Sequence, residues 1–471
     1  MRIKNIFIMI FRKTNFRRKN MISKIKWKNH SVLGNLELDF TKDNGKIYNT
    51  IILAGENGTG KTTILDTISE FLNLGAVTPF DYIEYKIEDD DFRIYYGDQD
   101  NHKLGFHQRE SLKTGEKKDI YSNKNNYIET INNDLEDIRH YGIAYSKARS
   151  GFKTNIVKSS TTEQIDDNKY NDDEREDFTN IKQLLVDLSS QDNAEWMRIT
   201  KNGINMDFEE FKKQSKLYRF ELAFNDFFDR MKFKEVDETD PNEKKIIFEK
   251  HGKSIPVDSL STGEKQIVFR GTQLLRNMNS IKDGVVLVDE PELSMHPRWQ
   301  EKILDYYNKL FIKDNIQLAQ MIFATHSEYV IKSALQNSRD ALIIVLKEKE
   351  DVITPVKITA PSVLPTITSA ETNYLAFNIV SIDYHIQLYG YLQAKTQKHK
   401  IKECDNYIKN HPSYDSNKYG KMSQYGNTQY ETLCTYIRNA IDHPDSGNTY
   451  TKEELRTSIE FLIELCKEND T

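Results

Sequence analysis

Cysteine is scarce in this 471-residue chain, and no segment is apolar enough to cross a bilayer. The three cysteines, Cys404, Cys434 and Cys466, form no C-x-x-C pair, so the sequence indicates neither a zinc site nor a disulfide framework. A membrane-spanning helix needs about 20 apolar residues, whereas the run IFIMIF occupies only residues 6–11. We therefore expect a protein of the reducing cytoplasm that has no membrane partner.

A strong excess of one charge is also missing. The net charge is −6, with 38% hydrophobic and 29% charged residues, as in ordinary soluble globular proteins. No global basic field attracts nucleic acid, although this composition is compatible with a local basic patch. The length predicts two or three domains.

The first 20 residues differ from the rest, because arginines and lysines flank their apolar run on both sides. A secretory signal has no such basic residues after its apolar run and ends in small residues at a cleavage site. We interpret residues 1–20 as a disordered extension that precedes the folded chain.

The most specific pattern is GENGTGKTT at residues 55–63. A β-branched run precedes it and a helical pattern follows, which predicts a strand, a phosphate-binding loop and a helix. Lys61 is predicted to bridge the β- and γ-phosphates of ATP, Thr62 to bind Mg²⁺ and Thr63 to contact the α-phosphate. The predicted nucleotide-binding residues of this loop are Gly55, Asn57, Gly58, Gly60, Lys61, Thr62 and Thr63.

Two later apolar runs end in polar residues that suit phosphate chemistry. VVLVDE ends in Asp289, which is predicted to hold Mg²⁺ through water, and in Glu290, the predicted general base. MIFATHS contains His326, which is predicted to sense the γ-phosphate. Glu290, His326 and Lys61 form the predicted catalytic set, and Thr62 and Asp289 are the predicted metal ligands. An acidic turn and a structural histidine are the alternatives, but the phosphate loop favours a nucleotide site.

A fourth motif, LSTGEKQ, begins at Leu260 and predicts the start of a helix. Ser261 and Gly263 at such a start form a second terminus that can bind an anion. Ser261 is also a good N-cap, and Glu264 is placed to complete a capping box. Local capping and ligand binding are compatible.

Together and in this order, the four motifs resemble the ABC-type ATPase head over about residues 21–347. The resemblance implies that two heads sandwich two ATP molecules, with Ser261 and Gly263 of one head contacting the γ-phosphate held by the other. It therefore implies ATP and Mg²⁺ as cofactors and a homodimer or higher homo-oligomer as the assembly.

The chain departs from this family at two places. Ser294 and Met295 stand where the D-loop aspartate is usual, which puts communication between the two ATP sites in question. The Q-loop glutamine has two candidate positions, Gln108 and the YSKAR segment at residues 145–149.

The motifs also indicate a branch of the ABC-type ATPases. DEPELSMHP and THSEYVI resemble soluble ATPases of the OLD and RecF-like branch, many of which serve phage defence, including retron- and Septu-associated ATPases. The chain lacks the long coiled coil of SMC proteins and the Toprim-type acidic cluster of OLD nucleases.

The alternation of strand and helix patterns predicts an α/β fold. We expect an ABC-type P-loop ATPase head over residues 21–360, with a mixed α+β insertion at about residues 76–250. An acidic stretch at residues 168–177 is predicted as a loop. The patterns beyond residue 360 are helical, and they predict an all-α C-terminal domain over residues 361–471.

In that last domain, IRNAIDHP places Arg438 five residues before His443. This spacing resembles the R-x4-6-H motif of HEPN domains, which are helical and often cut RNA. The resemblance implies that His443 moves protons and that Arg438 stabilises phosphorane charge, without a metal. The alternative is a cationic pair that stabilises a helix end.

Two functions follow from these patterns. The first is an antiphage ATPase whose nucleotide-driven dimer controls a toxic activity. That activity is either its own C-terminal ribonuclease or a separate nuclease subunit. The expected nucleic-acid partner is RNA, such as tRNA, or DNA. The second is a RecF-like DNA-repair ATPase that binds DNA and has no nuclease. RNA cleavage favours the first, and DNA-stimulated hydrolysis favours the second.

Overall fold

The computed structural model describes residues 20–97, 105–125, 128–149, 169, 178–240, 242–276, 281–313, 316–337, 340–358 and 363–468. The predicted extension, apart from Asn20, lies outside these residues, and so does the predicted acidic loop, apart from Lys169. Across the described ranges, no helix has the length and apolar character that a bilayer span requires.

The chain divides into two compact units. The first comprises Met1–Val330 and Asp340–Val356, and the second comprises Ile331–Arg339 and Lys357–Thr471. All four head motifs lie in the first unit, and the R-x4-H pair lies in the second.

The strands of the described residues, in chain order, are β1 Met21–Trp27, β2 Glu37–Asp39, β3 Thr50–Gly55, β4 Phe80–Ile87, β5 Asp90–Tyr95, β6 Phe106–Ser111, β7 Lys117–Tyr121, β8 Ile143–Ser146, β9 Met231–Asp237, β10 Lys245–Lys250, β11 Lys253–Pro256, β12 Val285–Asp289, β13 Ile312–Lys313, β14 Ile316–Gln317, β15 Gln320–Thr325, β16 Ala341–Lys349, β17 Val352–Ile358, β18 Gly420–Tyr425 and β19 Thr428–Thr432.

The α-helices of the same residues are α1 Lys61–Leu72, α2 Ile128–Asn133, α3 Thr179–Lys201, α4 Phe208–Gln214, α5 Tyr218–Phe227, α6 Thr262–Lys265, α7 Gly271–Arg276, α8 Pro297–Leu310, α9 Glu328–Asn337, α10 Ser369–Phe377, α11 Ile382–Thr396, α12 Ile401–Lys409, α13 Ser416–Tyr419, α14 Leu433–Asp442 and α15 Lys452–Glu468. A π-helical turn, Gln266–Arg270, joins α6 to α7.

A six-stranded sheet with the order β17-β16-β3-β15-β12-β8 carries the motifs. The pairs from β16 to β8 are parallel, and β3, β12 and β15 are buried along their whole length. Burial on both faces explains their unbroken apolar runs. Ala54 lies opposite Thr325, and Ala324 lies opposite Asp289. The polar ends of the three motif strands therefore meet at one edge of the sheet.

A second six-stranded sheet, β2-β1-β4-β5-β6-β7, is antiparallel throughout. Helix α1 contributes Ile64, Leu65 and Ile68 to a hydrophobic core that also contains residues of both large sheets, such as Ile25 and Leu53. This core fixes the helix that follows the phosphate loop.

The range predicted as an insertion contributes to both large sheets as well as forming additional structure. Strands β4 to β7 belong to the antiparallel sheet, β8 pairs with β12, and β9 and β10 form a small sheet with β11. The segment FKKQSKLYRFELAFNDFFDRM has a helical pattern, and it forms the end of α4 and the whole of α5. The chain breaks at Ser215, whose backbone is extended (φ −68, ψ 151), and α5 ends before β9 begins at Met231.

The second unit is mainly helical, as the patterns predict, but it also contains the hairpin β18–β19. The helical pattern of TQYETLCTYIRNAIDHP predicts a helix, and this prediction is wrong over its first residues, which form β19. The turn at Gly426 has φ 58, a conformation that glycine adopts readily, and the Thr and Tyr residues of the strand favour extended structure. The spacing of Thr451 and Glu454 predicts a capping box, and the two residues form it before α15.

Candidate nucleotide site

The phosphate loop between β3 and α1 requires glycine for two independent reasons. Gly55, Gly58 and Gly60 have φ values of 143, 88 and 81, in the region that residues with a Cβ rarely adopt. A Cβ on Gly55 would lie 2.6 Å from the Leu346 carbonyl oxygen, and one on Gly60 would lie 2.5 Å from Leu33 Cδ2. The loop geometry therefore depends on these residues.

The Lys61 side chain is held inside the loop. Its Nζ donates hydrogen bonds to the carbonyl oxygens of Gly55 at 2.9 Å and of Glu56 at 2.8 Å. Burial lowers the pKa of the Lys61 ammonium, and the charges of Asp289, Glu290 and then Glu292 oppose that shift. Three carboxylates thus act electrostatically on the amine, and an ammonium in this position suits a polyphosphate.

The predicted magnesium ligands are in contact with each other. The Thr62 hydroxyl donates to Asp289 Oδ2 at 3.0 Å. Burial, with a smaller contribution from the Glu290 charge, raises the pKa of Asp289 to about 6, and the Thr62 hydrogen bond opposes this. One hydroxyl and one carboxylate are oxygen ligands that suit Mg²⁺, which keeps waters and takes phosphate oxygens as further ligands. Within the ranges that the structure describes, no group of three or more His, Cys, Asp or Glu side chains could form a metal cage.

Glu290 has an unusual backbone conformation for a residue with a long side chain. Its φ is 45, in the left-handed region. The Glu290 N–H donates to the Ala324 carbonyl at 2.8 Å, and its own carbonyl accepts from Arg270 Nη1 at 2.9 Å. Two backbone hydrogen bonds therefore hold the strained residue at the sheet edge.

Arg270 is the centre of this arrangement, and sequence reasoning missed it. Its side chain is fully buried. The guanidinium donates to Ser146 Oγ at 2.7 Å, to the Ser146 carbonyl at 3.0 Å and to the carbonyls of Glu290 and Asp289. The π-helical turn after α6 thus connects the LSTGEKQ helix to the ends of β8 and β12.

We expect Arg270→Met to lower stability strongly, because each buried carbonyl left without a donor costs about 1–3 kcal/mol. Thermal unfolding should show a large decrease in Tm, and ATP hydrolysis should fall because Glu290 loses its backbone partner. Arg230→Met is the matched control, since Arg230 is exposed. Equal Tm values for the two variants would contradict the proposed function of the buried guanidinium.

His326 lies between two glutamates at the end of β15. Its Nδ1 is 3.5 Å from Glu290 Oε1 and 3.8 Å from Glu292 Oε1. Glu292, which sequence reasoning also missed, is 4% exposed and accepts from the Thr325 hydroxyl at 2.7 Å and from the His326 N–H at 3.2 Å. Burial raises the pKa of Glu292, and the Thr325 hydrogen bond opposes this.

The LSTGEKQ segment begins a helix with the predicted capping box, in which Ser261 and Glu264 bond reciprocally. Gly263 has a further local constraint, because a Cβ there would lie 2.8 Å from the Ser294 carbonyl oxygen. The LSTGEKQ segment, which we call the signature segment, and the turn after Glu290 therefore touch within one chain. Of the two Q-loop candidates, residues 145–149 lie at or after the end of β8, whereas Gln108 lies in β6 of the other sheet.

These motifs fall inside a match to a known protein family. Residues 51–332 match the family described as "AAA domain, putative AbiEii toxin, Type IV TA system". The chain belongs to this AAA-domain family. The matched range contains the phosphate loop, the LSTGEKQ helix, Asp289, Glu290 and His326, and it ends before the R-x4-H pair of the second unit.

Curated relatives of this AAA-domain chain confirm the predicted resemblance to Septu- and retron-associated ATPases. Septu protein PtuA of Bacillus thuringiensis is 23% identical over 312 residues, 62% of this chain and 69% of the relative. Septu protein PtuA of Bacillus mycoides strain KBAB4 is 24% identical over 71% of this chain and 41% of the relative. Retron Ec83 probable ATPase of Escherichia coli is 37% identical over 18% of this chain and 16% of the relative. The matches thus span less than half of the last two relatives.

Among solved structures, the SMC head domain from Thermotoga maritima aligns with 72% of this chain and 99% of its own length, at 15% identity and a TM-score of 0.35. A score this low carries no argument about function. The strand order and the loop geometry described above are the basis for assigning the AAA-domain chain an α/β nucleotide-binding fold.

The R-x4-H pair lies at the end of α14 in the second unit. Arg438 forms an ion pair with Asp442 at 2.5 Å and donates to Asn439 Oδ1 at 3.1 Å. The His443 ring stacks on Tyr425 of the hairpin, with centroids 4.0 Å apart and planes 15° apart. The backbone N–H of His443 also ends the helix by donating to the Asn439 carbonyl. These contacts are compatible with either a catalytic or a structural function.

Proposed function

We propose that this AAA-domain protein binds and hydrolyses Mg–ATP and that its ATP-dependent dimer controls a nuclease or another toxic effector in antiphage defence. The observation that carries the proposal is the convergence of Lys61, the Thr62–Asp289 contact, Glu290 and His326 at one edge of a parallel sheet. This is the set of groups that phosphoryl transfer to water requires.

Each side chain has a distinct proposed function. Lys61, already aligned by two loop carbonyls, binds the β- and γ-phosphates, while the Gly58 to Thr63 backbone and the start of α1 bind the phosphates through N–H groups. Thr62 and Asp289 would hold Mg²⁺, which supplies charge neutralisation when bound. Glu290 accepts a proton from the attacking water. His326, 3.5 Å from Glu290, contacts the γ-phosphate.

The proposed dimer places the signature segment of one chain on the nucleotide of the other. Ser261 and Thr262 are exposed at the start of α6, and Ser294 and His296 are exposed in the neighbouring turn. Gly263 approaches the Ser294 carbonyl closely, so the two exposed segments are neighbours. This surface is available to a second copy, and the N-terminus of the helix favours an anion there.

Ser261→Arg is expected to abolish hydrolysis, because a bulky cation would occupy the position of the partner's γ-phosphate. Lys61→Ala is expected to abolish it as well, by removing the phosphate ligand. In an equimolar mixture about half of the dimers contain one chain of each kind, and each has one intact composite site, so about a quarter of the parental rate should return.

The measurement is phosphate release by each variant alone and by the mixture after subunit exchange. Mixing Ser261→Arg with a Ser261→Arg/Lys61→Ala chain is the control, since no intact composite site can form in it. Activity in the control, or none in the equimolar mixture of the single variants, would contradict sites shared between chains.

The effector is the second part of the proposal. It is either a separate nuclease subunit or the second unit itself, with RNA such as tRNA, or DNA, as the nucleic-acid substrate. The names of the Septu and retron relatives support a defence function, and the R-x4-H pair supports an intrinsic ribonuclease. Stimulation of hydrolysis by DNA ends, without toxicity, would instead support the DNA-repair alternative.

A further inference from the structure

Glu292 is a buried carboxylate at the candidate site, and the proposed hydrolysis assigns it no function. It lies in the turn after β12, two residues beyond Glu290, and is 4% exposed. Buried carboxylates are rare unless they are paired or hydrogen-bonded for a purpose. Glu292 lies between Glu290 and the end of β15, where its burial indicates a specific function.

The hydrogen bonds of Glu292 converge on the end of β15. One oxygen, Oε1, accepts from the Thr325 hydroxyl at 2.7 Å and from the backbone N–H of His326 at 3.2 Å. The same oxygen is 3.8 Å from His326 Nδ1. A single oxygen atom of Glu292 thus holds both the Thr325 side chain and the backbone of His326.

The other carboxylate oxygen, Oε2, is buried and has no hydrogen-bond partner among the residues that the structure describes. A buried acceptor without a hydrogen-bond partner is costly in a protein interior. Glu292 also interacts electrostatically with the Lys61 ammonium, which places it within range of the phosphate loop. This cost, together with the contacts to the end of β15, points to a function linked to the nucleotide site.

The end of β15 is also connected to the turn after Glu290 and to α8. The Ser327 N–H donates to Thr325 Oγ1 at 3.0 Å, and the Ser327 hydroxyl donates to Gln300 Oε1 at 2.6 Å. Gln300 Nε2 in turn donates to the Met295 carbonyl at 2.9 Å. A continuous set of hydrogen bonds thus runs from Glu292 through β15 back to the segment that contains Glu292.

We propose that Glu292 is a positioning residue, which holds the His326 imidazole beside Glu290 by accepting hydrogen bonds from the end of β15. It acts through His326 and does not itself attack or protonate the nucleotide. This inference rests on the proposed ATP hydrolysis, and it adds a residue whose effect should appear in kcat and not in ATP affinity.

The test compares Glu292→Ala and Glu292→Gln, each in the parent and in a His326→Ala background. Removal of the acceptor should lower kcat about 10- to 100-fold, because misplacement of a reacting group by about 1 Å has effects of that size. The ATP dissociation constant should change little. Glu292→Gln should recover most of kcat, because its amide oxygen can accept the same two hydrogen bonds.

The double variant decides whether the effect passes through His326. If it does, Glu292→Ala should not slow the His326→Ala chain further. A further decrease by the full factor would overturn the proposal, as would a parental kcat for Glu292→Ala or equal losses for the Ala and Gln variants. A parent chain without any ATPase activity would instead refute the proposed hydrolysis itself.

Thr325→Val provides a second route in case Glu292→Ala does not fold. The isosteric change removes the hydroxyl donor and should lower kcat without affecting ATP binding, again only when His326 is present. Thr272→Val is the matched control, because Thr272 is a buried threonine whose hydroxyl donates to the Val268 carbonyl in the preceding π-helical turn. Parental kcat for both threonine variants would contradict the positioning function.

Discussion

Glu290→Gln is expected to reduce ATP hydrolysis by about 10²-fold or more, the usual size of a lost general base, while ATP still binds. Glutamine has nearly the same shape, so the hydrogen bonds of the Glu290 backbone to Ala324 and Arg270 should persist. Only the proton acceptor is removed. With hydrolysis blocked, the composite sites should stay filled, and the chain should accumulate as an ATP-bound dimer.

The rate of phosphate release measures the loss of hydrolysis. Size-exclusion chromatography with light scattering measures the fraction of dimer with ATP, with ADP and without nucleotide. Glu301→Gln is the matched control, because Glu301 is an exposed glutamate on α8. Hydrolysis by Glu290→Gln at the parental rate would show that another group is the base. A variant that binds ATP but stays monomeric would contradict the ATP-dependent dimer.

The edge on which these groups meet could be predicted from sequence, because apolar runs that end in polar residues become parallel strands with their carboxyl ends side by side. The glycine pattern of residues 55–63 predicted a loop in which three glycines do have positive φ values. The Ser261–Glu264 capping box was equally visible, since it depends only on residues three apart.

Arg270 and Glu292 were not predictable in this way. A charged residue in a helix or turn is expected at the surface. Apart from Gln266, the partners of Arg270 are Ser146, Asp289 and Glu290, which are distant in sequence and lie at the ends of β8 and β12. The π-helical turn also changes the regular helical spacing on which a pattern argument relies. The sequence contained one signal for Glu292, namely a second acidic residue two positions after Glu290. Its burial could not be inferred, because acidic residues in a turn are expected to be exposed.

The hairpin of the second unit shows a different limit. Its sequence, GKMSQYGNTQYET, alternates polar and apolar residues only weakly, and the helical pattern that follows extends into it. The glycine at position 426 was the available signal for the turn. The hairpin contacts the R-x4-H pair, because its Tyr425 stacks on His443.

His443→Ala and Arg438→Ala are expected to abolish RNA cleavage and growth arrest, if the second unit is the effector. The imidazole would lose its proton-transfer function and the guanidinium its contact with phosphorane charge. ATP hydrolysis should be unchanged, because the residues proposed for it all lie in the first unit. Cleavage by the activated assembly should persist in EDTA, since the proposed chemistry uses no metal.

A purely structural function of this pair predicts a different result. Loss of a cation near a helix end costs about 0.3–1 kcal/mol, so Tm would decrease slightly while phage protection persisted. His411→Ala is the matched control, because His411 also lies beside a tyrosine ring, that of Tyr407, in the same unit. The decisive measurement is RNA integrity in cells that express the parent, His443→Ala or His411→Ala. Cleavage that is lost only in His443→Ala supports an intrinsic ribonuclease, whereas the same RNA pattern in all three leaves a separate nuclease subunit as the effector.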